Sequence, residues 1–219
     1  MNLLHRRRPP EAPDGIRNLQ VGCGPKHLRP GWWNTDLRPF RGLDEAMDAV
    51  KPWRWTDLLE HVYAEHFLEH LELQDAVEFL QNAGRALKIG GHIRLSTPGL
   101  EWVMSSHYRF AEAEPDQVLD TLRTNRAFHG WGHRFLYSRA MLTWLLEGLK
   151  FDDIRFHSYG ESEREIFRGI EMHGKFRVMN GYPSVWIVEA TRGTRPIEPD
   201  PAMLALMQAE FLRQVKGGH

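Results

Sequence analysis

One cysteine, Cys23, stands among 219 residues, so no disulfide framework can form within the chain, which fits a reducing compartment. No apolar run comes near the roughly 18 to 20 residues that span a bilayer, and no apolar segment follows Arg6, Arg7 and Arg8 as it would in a secretory leader. Charge of one sign is lacking too. With 28 basic and 29 acidic residues the net charge is -1, which leaves no overall field to attract nucleic acid. Internal repeats and low-complexity tracts are also missing. These absences predict a soluble, cytoplasmic protein with neither a nucleic-acid nor a membrane partner. What remains is ordinary globular material: 42% of the residues are hydrophobic, enough for one sizeable core and one α/β domain with additions.

The most informative segment is Leu19-Gln20-Val21-Gly22-Cys23-Gly24-Pro25, followed by Trp33-Asn34-Thr35-Asp36-Leu37. An apolar strand breaking into a Gly-x-Gly turn, with an acid ending the next strand, is how a Rossmann-type domain grips an adenine nucleoside. The glycines let a ligand approach the backbone, and the carboxylate accepts from both ribose hydroxyls. Asp36 stands 12 residues past Gly24, short of the about 20 of a dinucleotide fingerprint, and Pro25-Lys26-His27 leaves no third glycine. Cys23 fits that turn by its small size, with no base nearby to activate it.

Beyond the turn, Asp44 to Val50 reads as a third strand ending near Asp48. His61 to Ala64 reads as a fourth strand running into Glu65 and His66, after which a helix begins. Ala76, Phe79, Leu80, Ala83 and Leu87 recur at helical spacing, with Gly90-Gly91 as the stop before a fifth strand, Ile89 to Ser96. Residues 101–137, rich in aromatics and charges, predict a mainly helical insertion over the active face. Leu142, Leu145, Leu146 and Leu149 mark another helix. Phe151 to Tyr159 and Ser184 to Ala190 predict two antiparallel strands at one sheet edge. A last helix is expected from Asp200 to Lys216. The expected division is a flexible lead-in over 1–16, a main domain over 17–192 and a C-terminal linker and helix over 193–219.

In this order the pieces resemble the class I S-adenosylmethionine-dependent methyltransferases, in particular a bacterial group of predicted methyltransferases. The motifs that carry the resemblance are the glycine turn, Tyr63-Ala64-Glu65-His66 with Glu69-His70-Leu71, Leu87-Lys88-Ile89-Gly90-Gly91, His129-Gly130-Trp131-Gly132-His133-Arg134-Phe135-Leu136-Tyr137, and Tyr159-Gly160-Glu161-Ser162. The resemblance implies a mostly parallel seven-stranded sheet with helices on both faces, an antiparallel edge strand and a helical insertion after the fifth strand. It implies S-adenosyl-L-methionine as cofactor, held by Gln20, Gly22, Cys23, Gly24, Asp36, Leu37, Asp48 and Glu65. Gln20 stands where the family's loop usually has an acid; its amide can still donate to the methionine carboxylate.

Methyl transfer needs alignment, exclusion of water and removal of a proton from the acceptor. A histidine can take that proton near neutral pH. The candidates are His66, His129 and His133, with His133 favoured by its Gly-Trp-Gly-His turn, and Glu65 and His66 occupy the place beside the methyl donor. Trp131, Tyr137, His129 and Glu161 are assigned to the acceptor pocket. The expected reaction is O-methylation of a small molecule or a glycan precursor. Two other readings stay open: a module that binds the nucleoside without chemistry, and a zinc hydrolase built on His66-Phe67-Leu68-Glu69-His70, whose histidines would share one face of a helix. In that case Glu101, Glu112 or Glu161 would supply a third ligand, whereas Glu69 and His70 otherwise read as an exposed helix face pairing with Arg85 or Arg94. No metal is assigned; a divalent ion assisting methyl transfer would draw on Glu65, His66, His133 and Glu161. The C-terminal helix and the edge strands offer surfaces through which a homodimer can form. Arginine outnumbers lysine, which suits contacts to anionic substrates.

Overall fold

The computed structural model describes residues 15–173 and 176–215. Arg6, Arg7, Arg8, most of the expected lead-in and Lys216 lie outside the described residues. Alternation of short strands and helices gives β1 (Asn18–Val21), β2 (Trp33–Asp36), β3 (Glu45–Ala46), β4 (Leu59–Glu65), α1 (Leu73–Ala86), β5 (Leu87–Pro98), α2 (Leu100–His107), α3 (Glu114–His129), α4 (Arg139–Gly148), β6 (Phe151–His157), β7 (Val178–Met179), β8 (Tyr182–Pro183), β9 (Val185–Arg192) and α5 (Pro201–Met207). Seven strands form one sheet in the order β3-β2-β1-β4-β5-β9-β6, and β7 pairs with β8 in a small hairpin. The neighbours from β3 to β5 are parallel, and β9 runs antiparallel to both β5 and β6. The expected antiparallel strand therefore lies one place inside the edge, and β6 itself points the same way as β5. The order reverses at β1, between β2 and β4. In an open α/β sheet, the crevice beyond the carboxyl ends of the strands at such a reversal is where ligands bind.

One sheet face carries the apolar row Leu19, Val21, Val62, Ala64, Ile93, Leu95, Val188 and Ala190, which joins Phe79 and Leu80 of α1, Leu142 and Leu145 of α4, and Met203 and Met207 of α5 in one core. Each fully buried Leu or Phe there contributes about 1.5 to 3 kcal/mol. Helix α4 begins where the Ser138 hydroxyl accepts the Met141 amide, and α5 where Asp200 accepts the Ala202 amide ahead of Pro201. Among the described residues no helix is long and apolar enough to cross a membrane.

The other face is different from the expectation of helices on both sides. Gln20, Tyr63, Arg94 and Glu189 stand in one register across four strands, all of them buried. This polar row is covered by the segment after β6, whose Phe167 and Ile170 pack on Tyr63 with Trp32. The links from β1 to β4 are rich in Pro and Gly and form no helix among the described residues, so none is available to cover that face. Arg94 is fully buried, its Nε 2.6 Å from Glu171 Oε1 and one terminal nitrogen 2.5 Å from Glu189 Oε1. Arg164 meets the other Glu189 oxygen at 2.7 Å. Two guanidinium and two carboxylate groups thus balance in charge and tie the covering segment to the sheet.

Two local expectations are corrected. The third strand is only two residues long, because the chain turns at once: the Asp48 carbonyl accepts from Lys51 and its carboxylate from Val50. Gly90-Gly91 does not stop a helix. Helix α1 ends at Ala86, and the glycines lie inside β5, where Gly90 at φ +79° makes the irregularity that shifts the β4–β5 register between Leu59 and His61.

Candidate active site

Beyond the carboxyl end of β1 the chain turns through Gly22 and Gly24, both in the left-handed region, at φ +66° and +61°. The Cys23 amide donates to Thr35 O and the Gly24 amide to Asp36 Oδ2 at 2.9 Å, so the turn is fastened to the end of β2. A cavity of about 670 Å³ opens here, lined by Gly22, Pro25, Asp36, Leu37, Arg38, Pro39, Phe40, His66, Phe67 and His70. Asp36 is half-buried at its wall; each carboxylate oxygen accepts one amide, from Gly24 or Arg38, and keeps a further lone pair. Leu37 is exposed in the same wall.

The two glycines are needed for different reasons. A Cβ on Gly22 would stand 2.4 Å from the Phe67 ring, whereas one on Gly24 would meet nothing within 4 Å. Phe67 approaches Gly22 closely on one side, and Gly22 also lines the cavity. The Cys23 thiol is buried in the turn, and that burial, with the Asp36 charge, pushes its pKa up to about 12. Gln20 is 2% exposed and its Oε1 has no hydrogen-bond partner.

A second cavity, about 620 Å³, lies under the insertion. His66, Glu69, His70, Pro98, Trp102, Val103, His107, Arg126, Ala127, Trp131, His133, His173, Arg177 and Ser184 line it. Its roof is α2 and α3, whose Val103 and Ala127 pack with Leu136. The insertion closes on itself where Gly99 bridges to Tyr137 and the Leu100 amide donates to Tyr137 O. His66 and His70 line both cavities, so the two spaces adjoin at these side chains.

His66 follows β4 in a left-handed conformation, φ +47°, uncommon for a residue with a side chain. Its amide donates to Ser96 O, and its Nδ1 lies 3.0 Å from Glu69 Oε1. Glu69 is fully buried and its other oxygen accepts the Thr97 hydroxyl at 3.0 Å. A carboxylate only accepts, so Nδ1 carries the hydrogen and Nε2 is left as the basic nitrogen. The expectation that Glu69 sits on an exposed helix face with Arg85 or Arg94 is overturned: Leu68 to His70 is a single 3-10 turn, and Glu69 points inward. For the same reason His66 and His70 do not form the helical pair that a zinc-hydrolase reading required.

Glu65 ends β4 nearly buried, its Oε1 accepting the amides of Met172 at 2.8 Å and His173 at 2.9 Å. Burial by itself raises the carboxyl, but hydrogen bonds from the His173 ring and from these amides outweigh it and hold the pKa at about 2. The contact with Glu65 in turn raises His173. Glu65 Oε2 is buried without a hydrogen bond, 4.0 Å from an Arg29 nitrogen; Arg29 Nε is also unpartnered, and its guanidinium lies 5.1 Å over Tyr63.

Of the remaining candidates, His133 and Trp131 line the second cavity. Tyr137 does not: it is fully buried, with its hydroxyl on Leu68 O. His129 and Glu161 are exposed and line neither cavity, and Asp48, also exposed, is used by its own turn. Glu101 is occupied by the Arg139 amide and the Trp186 ring nitrogen. Reading the sequence did not place Arg126 or Arg177 at this cavity, and it considered Glu69 only within the zinc-hydrolase pattern and as part of an exposed helix face.

No protein-family model matches the sequence, and no curated protein matches it. Among solved structures, an S-adenosylmethionine-dependent methyltransferase from Archaeoglobus fulgidus matches over 81% of this chain and 86% of its own, at 17% identity and a TM-score of 0.49. One from Mesorhizobium loti matches over 81% and 91%, also at 17% identity and 0.49. Phosphoethanolamine N-methyltransferase 2 of Haemonchus contortus, solved with S-adenosyl-L-methionine, matches over 82% of this chain and 49% of its own, at 14% identity and 0.49. The chain spans about half of that last protein. These are likenesses in the path of the chain.

Proposed function

We propose that the protein is an S-adenosylmethionine-dependent methyltransferase that methylates an oxygen of a small molecule or glycan-type acceptor in the cytoplasm. The observation that carries the proposal is the meeting of two cavities at His66 and His70, one walled by the glycine turn and Asp36, the other roofed by the insertion.

The donor fits the first cavity by chemistry already present. Asp36 offers free lone pairs for the two ribose hydroxyls, and Leu37, Pro39 and Phe40 offer an apolar wall for a base. Gln20 Oε1, Glu65 Oε2 and Arg29 Nε are buried and unpartnered outside the lining of that cavity, and Glu65 Oε2 lies 4.0 Å from an Arg29 nitrogen. Two acceptors and one donor match the ammonium and carboxylate of an amino acid, and buried polar atoms left alone are costly. When bound, S-adenosylmethionine supplies an electrophilic methyl group on a sulfonium.

His66 does the proton work. Its Nε2 takes the hydrogen of the acceptor hydroxyl as the oxygen attacks in line, and Glu69 stabilises the imidazolium that forms. Trp102 and Trp131 flank the acceptor, while Arg126 and Arg177 have no ion-pair partner among the described residues and suit an anionic group on it. The insertion keeps water out of the junction.

Calorimetric titration with S-adenosylmethionine, S-adenosylhomocysteine and NAD tests the proposal. Binding of the first two and not the third is expected, weakened about 10- to 100-fold in Asp36→Ala through loss of hydrogen bonds to the ribose. Absence of binding at millimolar concentration would overturn it. Binding of the donor without transfer to any of a broad panel of hydroxylated acceptors would favour a non-catalytic module.

A further inference from the structure

We propose that Glu69, His70 and His133 form a site for one divalent ion of the zinc class. The sequence alternatives placed a metal on His66 and His70 with a third acid, or on Glu65, His66, His133 and Glu161; the ligand set here differs from both. One ligand atom from each of these residues lies within 4.8 Å of the others, beside the second cavity.

Three features go beyond proximity. The first is protonation. His70 Nδ1 is 3.3 Å from Gly132 O, and His133 Nδ1 is 2.9 Å from Ala127 O. A carbonyl oxygen only accepts, so in the neutral ring both Nδ1 atoms carry hydrogen and both Nε2 lone pairs are free for a ligand. Metal-binding histidines are oriented in this way, with the second ring nitrogen donating to a carbonyl or carboxylate.

The second is rigidity. The Arg134 amide donates to Glu69 O at 2.7 Å and the Phe135 amide to the same oxygen at 3.3 Å, so the turn bearing Glu69 and His70 is fastened to the turn bearing His133. Trp131 and Gly132 take left-handed conformations, φ +57° and +82°, which bring the Gly132 carbonyl to His70. The third is the state of Glu69. Its two oxygens accept one hydrogen bond each, from His66 and Thr97, and an ionised carboxylate retains lone pairs beyond those two.

Two imidazoles and one carboxylate make a three-ligand site that leaves a position for water or substrate, the arrangement of catalytic rather than structural zinc. That open position would face the acceptor cavity, where an acceptor oxygen could bind the ion. Metal binding stands on these ligands alone and does not rest on the methyl-transfer reading, so either can fail without the other.

The untagged 219-residue chain, stripped with chelator and without S-adenosylmethionine, is dialysed against Zn²⁺ and assayed by elemental analysis, with Co²⁺ absorption as a second readout. One equivalent per chain at micromolar free ion is expected, with a visible cobalt band. His70→Ala and His133→Ala should each weaken binding by at least about 100-fold, more than the loss of an outer-shell partner. His173→Ala should leave it unchanged, which separates this site from the neighbouring His27, His66 and His173 rings. Circular dichroism checks that the variants fold; should His133→Ala fail to fold, His70→Ala carries the test, because the His70 side chain is exposed. Substoichiometric binding by the unaltered protein, binding unaffected by His70→Ala, or binding lost in His173→Ala would overturn the proposal.

Discussion

Glu69 Oε1 lies 3.0 Å from His66 Nδ1, and this one contact sets both the tautomer and the aim of the histidine that stands between the two cavities. The left-handed backbone at His66 holds the ring at the junction, and the hydrogen bond to the buried carboxylate leaves the Nε2 lone pair free in the neutral ring. The general base expected at His133 thus passes, in our proposal, to His66, while His133 becomes a metal ligand.

Replacing His66 with alanine should keep donor affinity within about threefold and lower turnover by about 10² to 10⁴, the usual range for a lost general base. S-adenosylhomocysteine release measures this, with an acceptor found by screening hydroxylated acids and phosphorylated sugars. Unchanged turnover would make His66 structural.

The two glycines of the turn should differ when each becomes alanine. Gly24→Ala meets no atom within 4 Å and costs only left-handed strain, about 1 to 2 kcal/mol. Gly22→Ala adds a collision with Phe67 and should cost about 1 to 3 kcal/mol more. Denaturant unfolding gives both values, and Phe67→Ala added to Gly22→Ala should remove the excess.

Acid should loosen the segment that Glu65 holds. The carboxyl ordinarily titrates near 4.5 and is held at about 2 in the fold, so its contribution is present above pH 4.5 and is lost as pH falls toward 2. A shift of this size corresponds to about 3 kcal/mol. His173 acts with the opposite sign, because its pKa is raised: its share is complete below pH 6.5 and is lost as pH rises through the raised value. In Glu65→Gln the acid-side slope of unfolding free energy between pH 4.5 and 2 should flatten; an unchanged slope would contradict the assignment.

Removing Arg94 should be severe. Arg94→Ala leaves Glu171 and Glu189 buried without their shared partner, and loss of one member of a buried pair costs about 3 to 5 kcal/mol. Thermal unfolding and protease cleavage within 158–171 would both report it. A loss under about 1 kcal/mol would show that water reaches the site.

Cys23 should resist thiol reagents at pH 8 in the folded protein and react at once in denaturant. Its pKa near 12 leaves a vanishing thiolate fraction, and its side chain is buried. Rapid labelling without denaturant would mean that the glycine turn opens.

The sequence by itself determined most strands of the large sheet and the glycine turn. Period-two apolar residues in β1, β4 and β5, helical spacing in α1 and α4, and Gly22 and Gly24 before Asp36 are local patterns, and local patterns are what backbone sterics and burial read directly. Only the tertiary structure decided which face of the sheet goes without helices, because the row Gln20, Tyr63, Arg94 and Glu189 exists only once the strands are in register. It also decided that Tyr137 is core, that Glu69 is buried against His66 and Thr97, and that His70 meets His133 across more than sixty residues of chain. Such meetings depend on how distant turns are fastened together, here by two amides on the Glu69 carbonyl, and spacing along a chain carries no record of that.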